Sequence, residues 1–583
     1  MVSATHQHFE HRVACLRRNM PNCLLTARWL CLSQAFVASC FRLSVALGCV
    51  LWFAMSVGSP TLHAQTYTDL HDFDCSNEGC EPAYPAVLSQ GRNGRLYGTA
   101  KVGGTSGLGT VFQITPSGTI KTLHNFSGAD GSNPTSGLTL GTDGNFYGTT
   151  HSGGANNFGT IFKMTPAGVL TTLHSFTGGD GASPFGAPVQ GKNGSFYGTT
   201  CGFNAPWTGY SITAGGNFKV LTESIPPCSF APLIVGSDGN FYGTSQAGGL
   251  TYQGTAFRMT PNGTVTILYN FDYTHGAYLY SPLVQGNDGF LYGTTSGGGS
   301  GNGGVVFKLS THGKLTLLHQ FDDNSTTDGA VPFAGLVAAT DGNYYGATSG
   351  GLNSGSVPNG NLFDVSSKGS YSLLYAFDAI HGALAQATPM QHTNGKIYGV
   401  TERGGGPNGS RNEGVVYDLG MNLQPFVFLV TRWGAVGQTV EILGGGLTGT
   451  TSVKFGSVSA NFTVVSDTYM TAVAPVGGAT DFVTVTTPTS KFTSSRPFIF
   501  GRAILTLNPT SGKVGDAVKI TGTSFTGATK VAFGGVKATT FTVDSDSQIT
   551  ATVPTGAVTG KIQVTTPGGT ATATSKRVFT VIQ

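Results

Sequence analysis

The chain has 583 residues, enough for several domains with sizeable cores. Glycine supplies 88 of them, about twice the ordinary share of ~7%, while charged residues make up only 10%. Such a low charge, with abundant Gly, Thr, Ser and Asn, excludes a disordered polyelectrolyte and suits an all-β surface protein.

Residues 1–64 read as a leader. A basic stretch precedes the apolar run from Arg42 to Val57, and the segment ends near Leu62-His-Ala-Gln65, as in a secretory signal cut after Ala64. Two alternatives stand: a true start at Met20, and an uncleaved anchor, for which the apolar run is short. Cleavage changes 31 basic and 28 acidic residues to 26 and 27, so the formal charge of +3 belongs to the leader. The near-neutral remainder offers phosphate no basic patch, which excludes nucleic acid as a partner. Five of the nine cysteines also lie in the leader. The other four are expected to pair as Cys75–Cys80, within one loop, and Cys201–Cys228, across two loops. Zinc is the alternative, but no Cys-x-x-Cys or His spacing supports it.

From residue 67 onward a Tyr-Gly pair recurs after an Asp-Gly or Asn-Gly turn. The pairs begin at Tyr97, Tyr147, Tyr197, Tyr242, Tyr292, Tyr345 and Tyr398, at steps of 50, 50, 45, 50, 53 and 53 residues. A period of this length marks stacked or circular supersecondary units. The second unit contains four short runs: Gly137–Gly141, Asn145–Thr150, Gly159–Thr165 and Val169–Phe176. Their β-branched and aromatic content, with Gly and Pro turns between them, predicts four strands and no helix. Four strands at this period form a propeller blade. The seventh unit stops at Leu419 without a fourth strand, and the missing strand stands at the other end as Tyr67–Phe73. Its pairing would close a ring and hide two sheet edges. The fold expected is therefore all-β: a seven-bladed β-propeller over 65–421, then two immunoglobulin-like sandwiches over 422–501 and 502–583.

Loop length divides the ring into two faces. The tight Asp-Gly and Pro-x-Gly turns lie on one face. The longer connections, such as Thr222–Ala231, Ser349–Gly360 and Glu402–Gly414, lie on the other, where function is expected. The third unit is the irregular one. It lacks the Gly-Gly of its siblings and the Phe of the third strand, a weakness that the Cys201–Cys228 bridge would offset.

After about residue 422, two copies of another β pattern follow at an offset of 78 or 79 residues. One has Gly437–Gly444, Val453–Gly456 and Ser466-Asp467; the other has Gly515–Gly522, Val531–Gly534 and Ser545-Asp546. The second copy resembles the IPT/TIG family through Asn508–Gly512, Ile520-Thr-Gly522, Phe533-Gly-Gly535, Val553-Pro554 and Thr566–Thr570. The first reads Val430-Thr-Arg-Trp-Gly434 where that family opens on Pro-x-x-Gly. The seven units resemble the Gloeobacter/Verrucomicrobium-type (GloVer) tandem repeat over about 67–420. That resemblance implies an extracellular or surface-attached bacterial protein and brings no catalytic residues with it.

Candidate site residues follow from the loop-rich face. Glu78, Asp130, Asp180, His275, Asp328 and His381 each stand one residue before a Gly in a fourth-to-first connection. Crowded at the channel mouth they could hold Ca²⁺ or a polar ligand; otherwise they simply make turns. His124, His174 and His319 alternate with Tyr269 and Tyr375 at equivalent strand positions and read as packed side chains with a polar tip. Trp207 offers a flat face for stacking on a sugar or a partner, or fills the blade interior. Trp433 is expected to pack between domains. Two G-x-G-x-x-G matches, at Gly444, Gly446, Gly449 and at Gly299, Gly301, Gly304, lack a βαβ context and read as turns. No H-E-x-x-H, G-x-S-x-G or phosphate loop occurs.

The reading is an exported, monomeric, non-enzymatic binding or adhesion protein for an extracellular glycan or protein, secreted or held at the cell surface. Its rivals are a polysaccharide-degrading glycosidase or lyase with opposed acids about 5–10 Å apart, and a purely structural surface protein.

Overall fold

A computed structural model describes residues 65–82, 88–202, 205–325, 328–350, 359–406, 412–501, 503–523, 525, 528–545, 547–565 and 572–582. The leader, with the alternatives of Met20 and cleavage after Ala64, lies outside the described residues, as do Asp546 and Thr566–Thr570. All regular structure described is β, and no described helix is long and apolar enough to cross a membrane.

Each repeat forms one four-stranded antiparallel meander. In the second repeat the strands are Thr139–Leu140, Phe146–Thr150, Thr160–Met164 and Leu170–Ser175. The short first strands of successive sheets neighbour one another, so they lie innermost and the fourth strands outermost. Six sheets are contiguous in sequence. The seventh joins Met390–Gln391, Ile397–Thr401 and Val415–Gly420 to the displaced strand Thr66–Asp72, with Tyr67 opposite Leu419 and Asp72 opposite Val415.

The recurrent Asp-Gly-x-aromatic-Tyr-Gly stretch is a physical unit. Asp143 accepts a hydrogen bond from the Asn145 amide at 3.1 Å, which fixes the turn, and another from the Tyr147 hydroxyl at 2.7 Å. The same tyrosine-to-turn bond forms in all seven repeats; where Asn replaces Asp, at Asn93, Asn193 and Asn394, the amide donates to the tyrosine instead. The Tyr147 ring then stacks on Phe196 of the next sheet at 3.7 Å, and Tyr97 stacks on Phe146 at 4.1 Å. The following Gly is required because the third-strand ring covers it. A Cβ on Gly148 would lie 2.5 Å from Phe162 Cζ.

The third repeat differs from expectation. Tyr210 occupies the place of the third-strand Phe and is fully buried over Gly198, as Tyr417 is over Gly399 in the seventh. Packing there is not depleted of a ring. The cost is instead a buried hydroxyl, since neither Tyr210 nor Tyr417 finds a partner for its OH.

The C-terminal region contains five further sheets around two apolar cores: two four-stranded sheets and a two-stranded one, Trp433–Gly434 with Ile499–Phe500, in the first unit, and a four- and a five-stranded sheet in the second. The first encloses Val440, Ile442, Phe455, Val485 and Phe498, and the second Val518, Ile520, Phe533, Ile549 and Val564. In the first, the opening strand is Phe428–Leu429, just before the departing Val430–Gly434 stretch, paired with Ile442 and Leu443.

Candidate functional site

The two ends of the innermost strands carry different chemistry. On the long-loop side, the residue four positions before the first strand is Phe185, Phe230, Tyr280 and Phe333 in four successive repeats. These rings touch in series, with centroids 4.6, 5.6 and 4.8 Å apart, and His151 lies against Phe185 at 4.6 Å. Equivalent positions of adjacent sheets meet in this way only where the sheets converge, so the rings form an arc beside the innermost strands. The Cys201–Cys228 disulfide packs beneath Phe185, Phe230 and Tyr280. Phe185, Tyr280 and Phe333 remain half-buried, and the Tyr280 hydroxyl accepts from Gln246 Nε2 at 2.7 Å. Burial, with the Lys101 charge, holds the His151 imidazole below its ordinary pKa, so it presents a neutral ring to the arc.

Trp207 is exposed on the loop of the same repeat and makes no ring contact with a described residue. Cys75 and Cys80 also form a disulfide, within the loop after the displaced strand.

The loop acids go elsewhere. Asp130 takes His124 at 2.7 Å, Asp180 takes His174 at 3.0 Å, Asp328 takes His319 at 2.8 Å, and Glu78 takes His71 at 2.6 Å. His275 and His381 pair locally with Asp272 and Asp378, at 2.9 and 2.8 Å. The carbonyls of Glu78, Asp130 and Asp180 accept from Thr110 and Thr160 on the third strand of the next sheet and from Thr208 immediately before it. These loops therefore lie two strands outward from the innermost strands, not gathered together as the channel-mouth expectation required. Among the described residues no three His, Cys, Asp or Glu side chains gather as a Ca²⁺ or other metal site. The signal was present in the sequence. The acid follows the strand His by six residues in two repeats, and where Tyr269 and Tyr375 replace that His, His275 and His381 replace the acid six residues on.

The opposite, tight-turn side is not bare. The sheets that follow the repeats sit on it: Arg92 donates to Glu441 at 2.6 Å, Thr468 Oγ1 donates to the Arg92 carbonyl at 2.7 Å, and the Phe426 amide donates to the Thr393 carbonyl at 3.1 Å. Trp433 packs with Val189 and Tyr197, and Lys192 lies over its ring at 5.7 Å. Between residues 426–441 with 495–496 and the first strands of six sheets is a cavity of about 910 Å³. Sequence reading placed Trp433 between domains but missed that this face is covered.

A family model of the Gloeobacter/Verrucomicrobia repeat matches residues 57–224 and 227–465, and one of the IPT/TIG domain matches 503–581. No curated protein matches the chain. Among solved structures it is similar to a catalytically inactive virginiamycin B lyase from Staphylococcus aureus with quinupristin, at 15% identity over 61% of this chain and 99% of that one, TM-score 0.41. A fungal alcohol oxidase in complex with copper is similar at 13% identity over 72% and 100%, TM-score 0.43. A surface glycan-binding protein from Prevotella bryantii is similar at 15% identity over 25% of this chain and 38% of its own, TM-score 0.18.

Proposed function

The chain belongs to the Gloeobacter/Verrucomicrobia repeat family, and on that premise we propose that it is an exported, non-enzymatic binding protein whose long-loop face takes an extracellular glycan or protein. In this reading the seven sheets are the blades of a closed propeller over 65–421, and 422–501 and 502–583 are immunoglobulin-like sandwiches. The pairing of Thr66–Asp72 with the last sheet supports closure. Two disulfides support an oxidising destination outside the cytoplasm.

One observation carries the binding reading: the aromatic arc from Phe185 to Phe333, held by a disulfide and half open to solvent. Flat apolar faces with a few polar groups, here Gln246 and the Tyr280 hydroxyl, suit the C–H faces and hydroxyls of sugar rings. The loop acids are committed to histidines at the outer strands, which favours binding over hydrolysis.

The test is a glycan panel on the purified chain, with product analysis and with Tyr280→Ala and Phe333→Ala variants. Binding without turnover, weakened at least tenfold in both variants, is expected. Release of shorter sugars, or binding indifferent to both substitutions, would overturn the proposal.

A further inference from the structure

The cavity beneath the first sandwich is lined by apolar first-strand side chains such as Val235 and Val284, but the sandwich contributes Arg432 and Arg496 to it. Two guanidinium groups in a confined space are costly unless anions face them. None does so at ion-pair distance. Arg432 donates only to the Val235 carbonyl and to Gln285 Oε1, both at 3.3 Å, and Arg496 donates no side-chain hydrogen bond to any described residue.

The nearby carboxylates do not pair with these arginines. Glu441 lines the cavity; its Oε1 holds Arg92 at 2.6 Å, and its Oε2 is buried without a hydrogen-bond partner. Asp238 acts on Arg432 only through space, its oxygens being occupied by Asn240 and Tyr242 at 2.6 and 2.9 Å. Lys192 also lines the wall. The cavity thus has more positive than negative charge, and its two arginines repel each other. Burial, with that repulsion, pushes the Arg432 guanidinium down to about 9.

We propose that Arg432 and Arg496 form an oxyanion site inside this cavity, taking a carboxylate, sulfate or phosphate group on a small ligand or a sugar-chain end. A planar guanidinium fork matches such groups in two-point fashion, and a low-dielectric wall strengthens each contact. The site lies at the other end of the innermost strands from the aromatic arc and stands independently of what that arc binds. An oxyanion there would also bridge the repeats to the first sandwich, because Arg432 already touches Val235 and Gln285.

Titration calorimetry on the purified full chain tests this, with glucuronate, inorganic sulfate and inorganic phosphate as probes and glucose as the neutral control, at ionic strength held constant with chloride. At least one oxyanion should bind saturably and glucose should not; the preferred probe identifies the source as acidic sugar, sulfate or phosphate. Arg496→Gln should weaken that binding at least tenfold. Arg496→Lys keeps the charge but loses the fork, and should weaken it severalfold; it serves as the deciding variant if Arg496→Gln loses its near-ultraviolet circular dichroism. Absence of saturable binding for all three probes, or affinity unchanged in the folded variants, would overturn the site.

Discussion

The two ends of each innermost strand are built on opposite rules. At the turn end every repeat does the same thing: an Asp or Asn holds the Tyr hydroxyl, and a Gly lies under a third-strand ring. At the loop end the corresponding position is Thr135, Phe185, Phe230, Tyr280, Phe333 and Gln386 in successive repeats. Sameness at every repeat marks what the fold needs from each sheet. Difference from repeat to repeat breaks the symmetry of the array, which recognition of one ligand in one orientation requires.

Four perturbations would break or sharpen that contrast. Replacing Cys201 and Cys228 by Ser opens a bridge of sequence separation 27 and should cost about 3 kcal/mol, read by scanning calorimetry. Because the bridge underlies the arc, glycan binding should fall with it, and a variant that binds undiminished would detach the arc from the disulfide.

Next, Gly148→Ala forces a Cβ into Phe162 and should cost about 2 kcal/mol in denaturant unfolding. Gly243→Ala, whose Cβ would lie 2.6 Å from Phe257 Cζ, should cost the same. Clearly unequal penalties would show that the turn ends are not equivalent after all.

Tyr147→Phe removes the bond to Asp143 and should lower stability by about 1 kcal/mol. Tyr280→Phe, at the loop end, should leave the melting temperature unchanged and weaken ligand binding.

The smallest effect concerns the closing strand. Burial, with the neighbouring Asp72 charge, raises the Asp69 carboxyl to about 6 from 3.8. Between those values the folded chain keeps a proton that the unfolded chain has lost, so stability falls as pH rises through this window and stays lower above it. Asp69→Asn should flatten that slope and gain under about 1 kcal/mol at pH 7, since the group is partly exposed and screened. Melting temperatures at pH 4, 5, 6 and 7 decide it; parallel curves for the two proteins would contradict the assignment.

Much of the site was legible because it is local. Cysteine parity outside the leader anticipated both bridges, and Trp207 is exposed on its loop as one of its two readings required. The loop acids were found and then misplaced: their strand partners lie only six residues back, yet the distance of that pair from the axis depends on how the sheets assemble. The arc escaped notice because Phe185, Phe230, Tyr280 and Phe333 are ordinary apolar residues in sequence. They become a site only when successive sheets bring them within ring contact.

The sequence by itself determined the strands, the turns and the number of repeats, since alternation, Gly placement and the Asx-to-Tyr spacing act within a few residues. Only the tertiary structure decided which face stays open. Arg92 meets Glu441 and Lys192 meets Trp433 across more than two hundred residues of chain, and no local pattern records a contact made by two finished surfaces.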